Sequence, residues 1–319
     1  MDPVIVVGAG LSGVACAQEV RTAGHEVVLL DRGRQPGGRM AIREIDGRPV
    51  DTGASYFTVS DESFATLVRH WSDQGLAHRW TDTFDVFDHG HQGEPKVGND
   101  RWAARWGLRS LVEDLASDLD LERHTVESVT TGPSGLRVDG RPARAVVLAM
   151  PDPQARRLLD PSSATYEALD DSFEPVLALS AGWTERSWDT RFEGAFVNGN
   201  DRLAWIADDG RRRGDGAAVL VAHSTPALAA AHLDAPQDAT EPMLQTLSSL
   251  LGITTAPEWT DVHRWTFARP TGGRDDDYHL GVDDIGVCGD AWSQRPRVEA
   301  AYLSGRGLGA ALVARLDGP

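Results

Sequence analysis

The sequence predicts an α/β fold that is built on a parallel β-sheet and carries a second sheet as an insertion. A β-branched run at residues 3–7 is followed by a glycine-rich turn, a helical pattern and a second apolar run at 26–31, which is the pattern of one βαβ unit. Apolar runs at 145–149 and 285–290 have the composition of further buried strands. Residues 173–270 instead alternate between apolar and polar, which is typical of a sheet with one wet face.

Length and composition limit the partners. The 319 residues are enough for about two domains. Hydrophobic residues make up 41% and charged residues 25% of the chain, so a globular protein is expected and a disordered one is excluded. Asp and Glu outnumber Lys and Arg by 48 to 31, and a net charge of −17 repels nucleic acid and anionic lipid. We therefore expect no nucleic acid and no membrane as a partner, and no apolar run reaches the roughly 18 residues of a membrane span.

Cysteine, lysine and histidine usage excludes several chemistries. Cys16 and Cys288 cannot form a disulfide framework or a four-ligand metal site, and no metal is expected. The chain opens without a cleavage signal, so a reduced, cytoplasmic location is expected. Lys96 is the only lysine and follows a proline, which excludes a Walker A loop. His89 and His91 have no further ligand at suitable spacing, and we expect a solvated loop there.

The remaining elements follow from apolar periodicity and turn residues. Gly24 ends the first helix, and the Gly- and Arg-rich segment 33–58 is predicted to form turns and loops. Helices are predicted at 61–80, 107–119, 242–251 and from 299 or 303 to 316. Strands are predicted at 126–129, 136–138, 145–149, 176–183, 195–198, 203–207, 217–223, 262–267 and 285–290, with short strands and loops over 81–102.

The first glycine-rich turn has the spacing of a dinucleotide-binding fingerprint. Gly8 permits the tight turn, Gly10 lets the backbone approach a pyrophosphate, and Gly13 lets the helix pack on the strand. Asp31 lies 18 residues after Gly13, at the end of the second strand, where it can accept hydrogen bonds from a ribose hydroxyl. A tight turn without a ligand is the alternative. The fingerprint alone does not distinguish NAD from FAD.

A second glycine pair indicates a flavin. The run Arg34-x-x-Gly37-Gly38-Arg39 follows the second strand, and Gly289-Asp290 lies near the C-terminal end. The glycines allow close backbone approach, and Arg39 supplies a forked phosphate donor. Together these motifs resemble the two-dinucleotide-binding-domain flavoproteins of the monoamine oxidase and hydroxylase superfamily. That resemblance implies an extended FAD with the Gly-Asp pair at its ribityl and pyrophosphate region. The FAD is expected to be noncovalent, because neither cysteine lies where covalent members attach theirs.

Longer motifs extend this evidence over most of the chain. They are G-G-R-M-A-I-R at 37–43, D-T-G-A-S-Y-F-T at 51–58, V-V-L-A-M-P-D-P-Q-A at 146–155, H-R-W-T-F-A-R-P at 263–270, and G-D-A-W followed by R-V-E-A-A-Y-L-S-G within 289–305. As a set they resemble the renalase family, particularly its bacterial members. Ser55 departs from the family, which usually has Gln there, and the Arg- and Trp-rich segment 96–110 replaces a compact Gly-Met turn.

The resemblance implies a fold and an activity. The expected fold is a Rossmann-like FAD-binding domain with an inserted mixed β-sheet substrate domain, of the p-hydroxybenzoate hydroxylase type. The FAD-binding domain is expected at 1–60, 105–160 and 270–319, and the substrate domain at 61–104 and 161–269. Renalase-type enzymes take a hydride from 2- or 6-dihydro isomers of NAD(P) to flavin N5, and O2 then takes up the electrons as hydrogen peroxide. The expected partners are therefore a dihydronicotinamide nucleotide and O2, and the protein's task is stacking and orientation.

The motifs and the resemblance together give the predicted site residues. The predicted FAD-binding residues are Gly8, Gly10, Leu11, Ser12, Gly13, Asp31, Arg32, Gly38, Arg39, Met40, Ala54, Ser55, Tyr56, Val126, Met150, Gly289, Asp290, Val298 and Glu299. The predicted catalytic residues are Tyr56, Trp205, His223 and Trp292, with Trp265 beside the same motifs. Core packing is the alternative for the aromatic residues, and an ordinary strand histidine is the alternative for His223. Arg297 and Glu299 could equally contact the flavin or pair with each other.

Three other functions stay open. A flavin amine oxidase often places a lysine near the flavin from later in the chain, where this sequence has none, yet the net charge of −17 would attract a cationic amine. A hydroxylase or desaturase is compatible with the fold, but the sequence has no basic motif specific for NADPH. A flavin-binding module without turnover would need the same glycine motifs.

Overall fold

The computed structural model describes residues 2–132 and 135–318 and divides into two compact units. The first unit consists of Met1–Met40, Arg109–Phe173 and Pro270–Pro319, and the second of Ala41–Leu108 and Glu174–Arg269. Residues 1 and 319, the ends of the predicted FAD-binding domain, lie outside the described residues, as do 133 and 134.

The unit boundaries differ from the predicted domain boundaries in three segments. Residues 105–108, predicted for the FAD-binding domain, belong to the second unit. Residues 41–60 belong to the second unit, because Val50 packs there against Val219 and Val221. Residues 161–173 belong to the first unit, where the Thr165 hydroxyl donates to Asp283. Residues 41–60 and 161–173 thus belong to these units because they contact residues that are distant in the sequence.

The described residues form short strands and helices in alternation. The strands are β1 Val4–Val7, β2 Val27–Asp31, β3 Ile42–Ile45, β4 Arg48–Asp51, β5 Ala77–Asp88, β6 His91–Gln92, β7 Lys96–Ala104, β8 Leu121–Arg123, β9 Val129–Gly132, β10 Gly135–Val138, β11 Arg141–Ala143, β12 Ala145–Leu148, β13 Phe173–Gly182, β14 Gly194–Asn198, β15 Leu203–Asp208, β16 Val219–Ser224, β17 Trp259–Pro270, β18 His279–Leu280 and β19 Ile285–Val287. The helices are α1 Leu11–Thr22, α2 Glu62–Asp73, α3 Arg109–Leu115, α4 Asp152–Ala155, α5 Ala164–Glu167, α6 Asp209–Arg213, α7 Pro226–Ala231, α8 Thr240–Leu251 and α9 Val298–Asp317. None of the helices in the described part of the chain has the length and apolar character of a membrane span.

The first unit contains the predicted parallel sheet. Its strands lie in the order β18-β19-β12-β1-β2-β8, and β1 pairs in parallel with both β2 and β12. The apolar β1, β2 and β12 are buried because helices cover such a sheet. α1 packs closely on α9, since a Cβ at Gly305 would overlap with the Ser12 carbonyl and one at Gly309 with Cys16. A small antiparallel sheet of β9, β10 and β11 completes the unit.

The second unit contains an eight-stranded mixed sheet. Its strand order is β17-β13-β16-β15-β14-β5-β6, with β7 paired to β5. One face carries Leu179, Ile206 and Ala222, which pack with Met243 and Leu247 of α8 into a buried core. Side chains of successive strand residues point to opposite faces of a sheet. Trp205 and His223, the sequence neighbours of Ile206 and Ala222, therefore lie on the opposite face.

The fold class is confirmed, and several predicted elements have different bounds. Residues 33–58 contain the β3–β4 hairpin, whose turn residues Asp46 and Gly47 have φ angles of 51° and 74°. Residues 81–102 belong mostly to two long strands, β5 and β7, and α2 ends at Asp73 instead of 80. The strand predicted at 126–129 begins at Val129, and the one predicted at 285–290 ends at Val287. An Asp-Gly pair between two short strands is itself a hairpin signal.

Candidate functional site

The dinucleotide fingerprint lies in the first unit, between β1 and α1. Gly10 caps α1 in an extended conformation, with φ −76° and ψ 175°. The first amides of a helix have no partner within it, so the N-terminus of α1 offers N–H groups and a positive dipole end to an anion. Ala9 donates its backbone N–H to Asp31 Oδ2 at 2.8 Å, and Gly33 donates to Asp31 Oδ1 at 2.6 Å. The Asp31 carboxylate is therefore fixed beside the turn.

The glycines of the fingerprint are required for different reasons. A Cβ at Gly13 would overlap with the Gly8 carbonyl, and a Cβ at Gly8, where φ is 109°, would overlap with the Ala149 carbonyl. At Gly10 a Cβ would meet, among the described residues, Gly38 Cα alone, at an ordinary contact distance of 3.8 Å. Gly8 and Gly13 therefore serve the fold, whereas the space at Gly10 suits the close approach of a pyrophosphate.

The second glycine pair and the late Gly-Asp pair come together in the first unit. Arg39 donates from Nη1 to Asp290 Oδ2 at 3.0 Å, and its Nη2 donates to the other carboxylate oxygen. Gly289 donates its N–H to Ser304 Oγ at 3.0 Å. Motifs 251 residues apart thus form one polar cluster, in which the forked contact of Asp290 orients the Arg39 guanidinium.

The other predicted residues of the first unit differ in exposure. Leu11, Ser12, Met40, Val126 and Glu299 are buried, Met150 and Val298 are half-buried, and Arg32 is exposed. Arg297 pairs with Glu299 at 2.5 Å, which is one of the two roles that the sequence allows. Trp292 is buried in the core of the first unit, and the Arg274 guanidinium carbon lies 4.1 Å from its ring centroid.

These features of the first unit fit a bound dinucleotide. The open Gly10, the helix N-terminus, the Asp31 carboxylate and the Arg39–Asp290 pair are the donors and acceptors that pyrophosphate and ribose need. Cys16 and Cys288 are buried in the same unit, and burial raises the pKa of both thiols, that of Cys288 to about 12. Neither is a thiolate near neutral pH, as attachment to a flavin would require.

In the second unit, hydrogen bonds fix the predicted segment around Ser55. The Thr52 carbonyl accepts from Trp265 Nε1 at 2.8 Å. The Ser55 carbonyl accepts from Arg212 Nη1 at 3.1 Å, and the Ser55 hydroxyl accepts from Trp205 Nε1 at 3.0 Å. Ala54 and Tyr56 on either side are half-buried. The Ser that departs from the family pattern is therefore the acceptor for a predicted catalytic tryptophan.

A buried ion cluster supports that segment. We define it as Asp51, Asp209, Arg212 and Arg213, with Arg48 at its edge; Arg213 Nη2 lies 2.9 Å from Asp51 Oδ2, and Arg212 pairs with Asp209. Burial acts to raise the pKa of Asp209, but the charges of Arg212, Arg213 and Arg48 outweigh it and hold that pKa far below its ordinary value. The Asp209 carboxylate is therefore ionised, whereas burial raises the pKa of Asp51 against the charges of Arg212 and Arg213. The contacts of the cluster anchor the chain at Asp51.

An aromatic row lies on one face of the eight-stranded sheet. Phe196 pairs with Trp205, and Trp205 pairs with His223, across β14, β15 and β16. The Tyr56 ring centroid lies 5.7 Å from that of Trp205 and 5.3 Å from that of Phe84. The sheet register thus brings three of the four predicted catalytic residues together, whereas Trp292 belongs to the first unit. We refer to Tyr56, Phe84, Phe196, Trp205 and His223 as the aromatic face.

His223 is neutral and holds an unpaired acceptor. Burial lowers its pKa to about 3, and the charges of Arg269 and Arg212 add to this effect, while a hydrogen bond with the Thr52 backbone opposes it. Nε2 is buried and has no hydrogen-bond partner among residues 2–132 and 135–318. Since the ring is neutral and its other nitrogen bonds to Thr52, Nε2 carries a free lone pair.

Sequence reasoning missed Arg101, Asp209, Arg212 and Arg213. The Arg101 guanidinium carbon lies 4.0 Å from the centroid of the Phe84 ring and 6.0 Å from that of Tyr56. The D-D-G-R-R-R run at 208–213 resembles an exposed charged surface, because nothing local shows that Asp51 lies opposite it. For Arg101, the unusual Arg- and Trp-rich segment 96–110 is the one available signal.

Comparison with known proteins shows the family. Residues 86–311 match the family described as flavin containing amine oxidoreductase, and residues 6–71 match the NAD(P)-binding Rossmann-like domain. Hydroxyneurosporene desaturase from Cereibacter sphaeroides is 30% identical over 170 residues, which cover 52% of this chain and 27% of that protein. The chain spans 15–27% of the length of this protein, of phytoene dehydrogenase from Streptomyces griseus and of hydroxyneurosporene desaturase from Rubrivivax gelatinosus.

Solved structures share the fold over the whole chain. Cyclohexylamine oxidase from Brevibacterium oxydans IH-35A has a TM-score of 0.75 at 14% identity, covering 99% of this chain and 100% of that chain. A putrescine oxidase bound to putrescine has a TM-score of 0.70 at 15% identity, covering 98% and 99%. FAD is the cofactor that the fingerprint and the family model indicate together. The chain belongs to the flavin-containing amine oxidoreductase family.

Proposed function

We propose that the chain is a renalase-like FAD-dependent oxidase of isomeric dihydronicotinamide nucleotides. The first unit would hold FAD through Gly10, the N-terminus of α1, Asp31 and the Arg39–Asp290 pair. The second unit would bind the substrate on the aromatic face. When bound, FAD supplies the two-electron acceptor for the overall reaction, in which the dihydronicotinamide, O2 and a proton give the oxidised nucleotide and H2O2.

The observation that carries the proposal is the combination of aromatic rings with positive charge. The charged groups that act on Tyr56 and His223 are all arginines, namely Arg101, Arg212 and Arg269. Flat aromatic rings suit a planar nicotinamide, and arginines attract the phosphates of a nucleotide. The same arginines repel a protonated amine, although the chain as a whole is acidic.

The residues of the aromatic face would orient the nicotinamide without acid–base chemistry. Burial raises the pKa of Tyr56 against the opposing charges of Arg101 and Arg269, so its hydroxyl stays protonated at neutral pH. The free lone pair of His223 Nε2 suits the N–H donor of a carboxamide. Trp205, held by Ser55, would supply a fixed ring for stacking. Orientation of this kind is the contribution that a direct two-electron oxidation needs from a protein.

An amine oxidase is the second candidate, because the similar folds include cyclohexylamine and putrescine oxidases. Peroxide release in air distinguishes the two. The purified holoenzyme is incubated separately with 2-dihydro-NAD, 6-dihydro-NAD, ordinary NADH, putrescine and cyclohexylamine. We expect peroxide equal to the oxidised nucleotide formed with at least one of the two isomers, and none with either amine. Peroxide from an amine, with both isomers unchanged, would contradict the proposal.

A further inference from the structure

Three arginines of the second unit are buried, and one of them has no carboxylate partner. Arg101, Arg212 and Arg213 are exposed by 5%, 1% and 4%. Arg212 and Arg213 pair with Asp51 and Asp209 in the buried ion cluster. Among the described residues, Arg101 forms no ion pair. Burial of an arginine without an opposite charge is unusual, above all in a chain with 48 acidic residues.

The contacts of Arg101 leave part of its guanidinium unsatisfied. It lies over the Phe84 ring at 4.0 Å and donates a hydrogen bond to the Tyr56 hydroxyl. Its Nη1 atom is buried and has no hydrogen-bond partner within residues 2–132 and 135–318. A guanidinium has five N–H donors in a planar fork, and a buried donor without an acceptor is unfavourable. The free Nη1 therefore needs an acceptor that the described chain does not supply.

The strands around Arg101 are irregular in a way that sets its direction. Arg101 on β7 pairs with Thr81 on β5, and the register of the two strands shifts on both sides of Thr81. Such bulges redirect side chains, and they recur beside functional sites. A Cβ at Gly98 would lie 3.2 Å from Arg101 Nη2, so a larger residue there would press on the guanidinium. Local strand geometry thus turns Arg101 toward Tyr56 and the aromatic face.

The surrounding charges favour an anion at this position. Besides Arg101, the charge of Arg269 lowers the pKa of Tyr56, and it lowers the pKa of His223 as well. The carboxylate on which Arg101 acts is Asp82, which is exposed to water and pairs with Arg79 instead. An arginine fork matches the oxygens of a phosphate, and the low dielectric of a buried site strengthens that contact.

We propose that Arg101 binds a phosphate group of the substrate. The proposal rests on the proposed function, in which the substrate is a dihydronicotinamide nucleotide. It makes Arg101 a specificity-determining residue, which selects nucleotides over nicotinamide compounds without phosphate.

The kinetic test uses substrates that differ in phosphate alone. The 6-dihydro isomers of nicotinamide riboside and nicotinamide mononucleotide are compared for wild type, Arg101→Met, Arg101→Lys and the control Arg191→Met, which removes an exposed arginine. We expect Arg101→Met to raise KM for the mononucleotide about tenfold or more with kcat nearly unchanged, because a charge-assisted contact is lost. In Arg101→Met, KM for the riboside should change much less than KM for the mononucleotide, because the riboside has no phosphate, and Arg191→Met should match wild type with both compounds. KM of Arg101→Lys for the mononucleotide should lie between the values for wild type and Arg101→Met, since lysine keeps the charge but not the planar fork of donors.

Two outcomes of the kinetic test would overturn the proposal: an equal rise in KM for riboside and mononucleotide, or no rise for either.

A binding test is independent of turnover. Inorganic pyrophosphate is titrated into each holoprotein by calorimetry, after far-UV circular dichroism and flavin content have shown that the variants fold. We expect binding by wild type and Arg191→Met and its loss in Arg101→Met. If wild type oxidises neither 2-dihydro-NAD nor 6-dihydro-NAD, the proposed function fails, and pyrophosphate binding still decides the role of Arg101. Equal pyrophosphate affinity in wild type and Arg101→Met, or no binding to wild type, would contradict it.

Discussion

At the scale of single residues, the fingerprint glycines separate into those that the fold requires and one, Gly10, whose open surroundings suit a ligand. The sequence predicted all of them from spacing, since G-x-G-x-x-G after a strand is a local pattern. Their division into two roles depends on which atoms lie near each Cα, and that is a property of the folded chain. Gly13 approaches Gly8, and Gly8 approaches Ala149, whereas Gly10 leaves space.

Substitution at Gly10 should therefore remove the flavin and keep the fold. Gly10→Val fits an extended backbone and an uncrowded position, so we expect a normal circular dichroism spectrum and loss of the flavin absorbance. Gly13→Ala should instead lower the free energy of unfolding by about 2 kcal/mol or more, because its Cβ overlaps with backbone. Flavin content and urea unfolding of the two variants check this. A yellow Gly10→Val protein with wild-type flavin content would refute the role given to Gly10.

His223 should make stability depend on pH over a defined range. Its pKa is about 3 in the folded chain and 6.5 when unperturbed, so the unfolded state binds a proton between these values and the folded state does not. Stability contributed by the neutral ring is present above pH 6.5 and is lost as the pH falls toward 3. We expect the free energy of unfolding to decline below pH 6.5, and to decline less steeply between pH 6.5 and 4 in His223→Gln.

Urea unfolding at intervals across that range is the measurement. Asp209 also loses stabilising interactions in acid, but its lowered pKa confines that effect to pH values below its ordinary 3.8. Identical pH profiles for wild type and His223→Gln above pH 4 would show that the histidine is not held neutral.

At the scale of elements, long periodic segments were predictable and short paired ones were not. Helices α2, α8 and α9 carry apolar residues on one face, and their sequence positions were identified within several residues. The β3–β4 hairpin was missed because its strands have four residues each and no alternation of apolar and polar side chains. Tyr56, Trp205 and His223 of the aromatic face were predicted as separate residues, and Phe84 and Phe196 were not predicted. The register that aligns the face across three strands is a long-range property.

The buried ion cluster connects α6 with the segment around Ser55. Asp209→Asn leaves Arg212, Arg213 and Arg48 without one of their charges. Removing one partner from a buried ion cluster costs about 3–5 kcal/mol, and we expect a loss of that order in the free energy of unfolding. Asp189→Asn is the matched control, since the Asp189–Arg191 pair is exposed and should contribute nothing measurable. Equal small effects in both variants would show that the cluster does not stabilise the fold.

At the scale of the whole molecule, the overall charge and the local charge point to different ligands. The net charge of −17 alone would favour a cationic substrate. Charge near the aromatic face comes from arginines that are far apart in sequence, namely Arg101, Arg212 and Arg269. Composition predicts that nucleic acid is not a partner, but it could not predict the charge near the aromatic face. The fold and the cofactor were predictable from motifs, whereas the residues that we propose to select the substrate come together only in the folded second unit.

The most direct test of the proposed function is an anaerobic titration of the holoenzyme with 2- and 6-dihydro-NAD, followed at the flavin absorbance near ~450 nm. We predict complete bleaching at one equivalent of at least one isomer, recovery of colour with release of peroxide when air is admitted, and no bleaching by putrescine or cyclohexylamine. A flavin that stays oxidised with both isomers and is bleached by an amine would contradict the account.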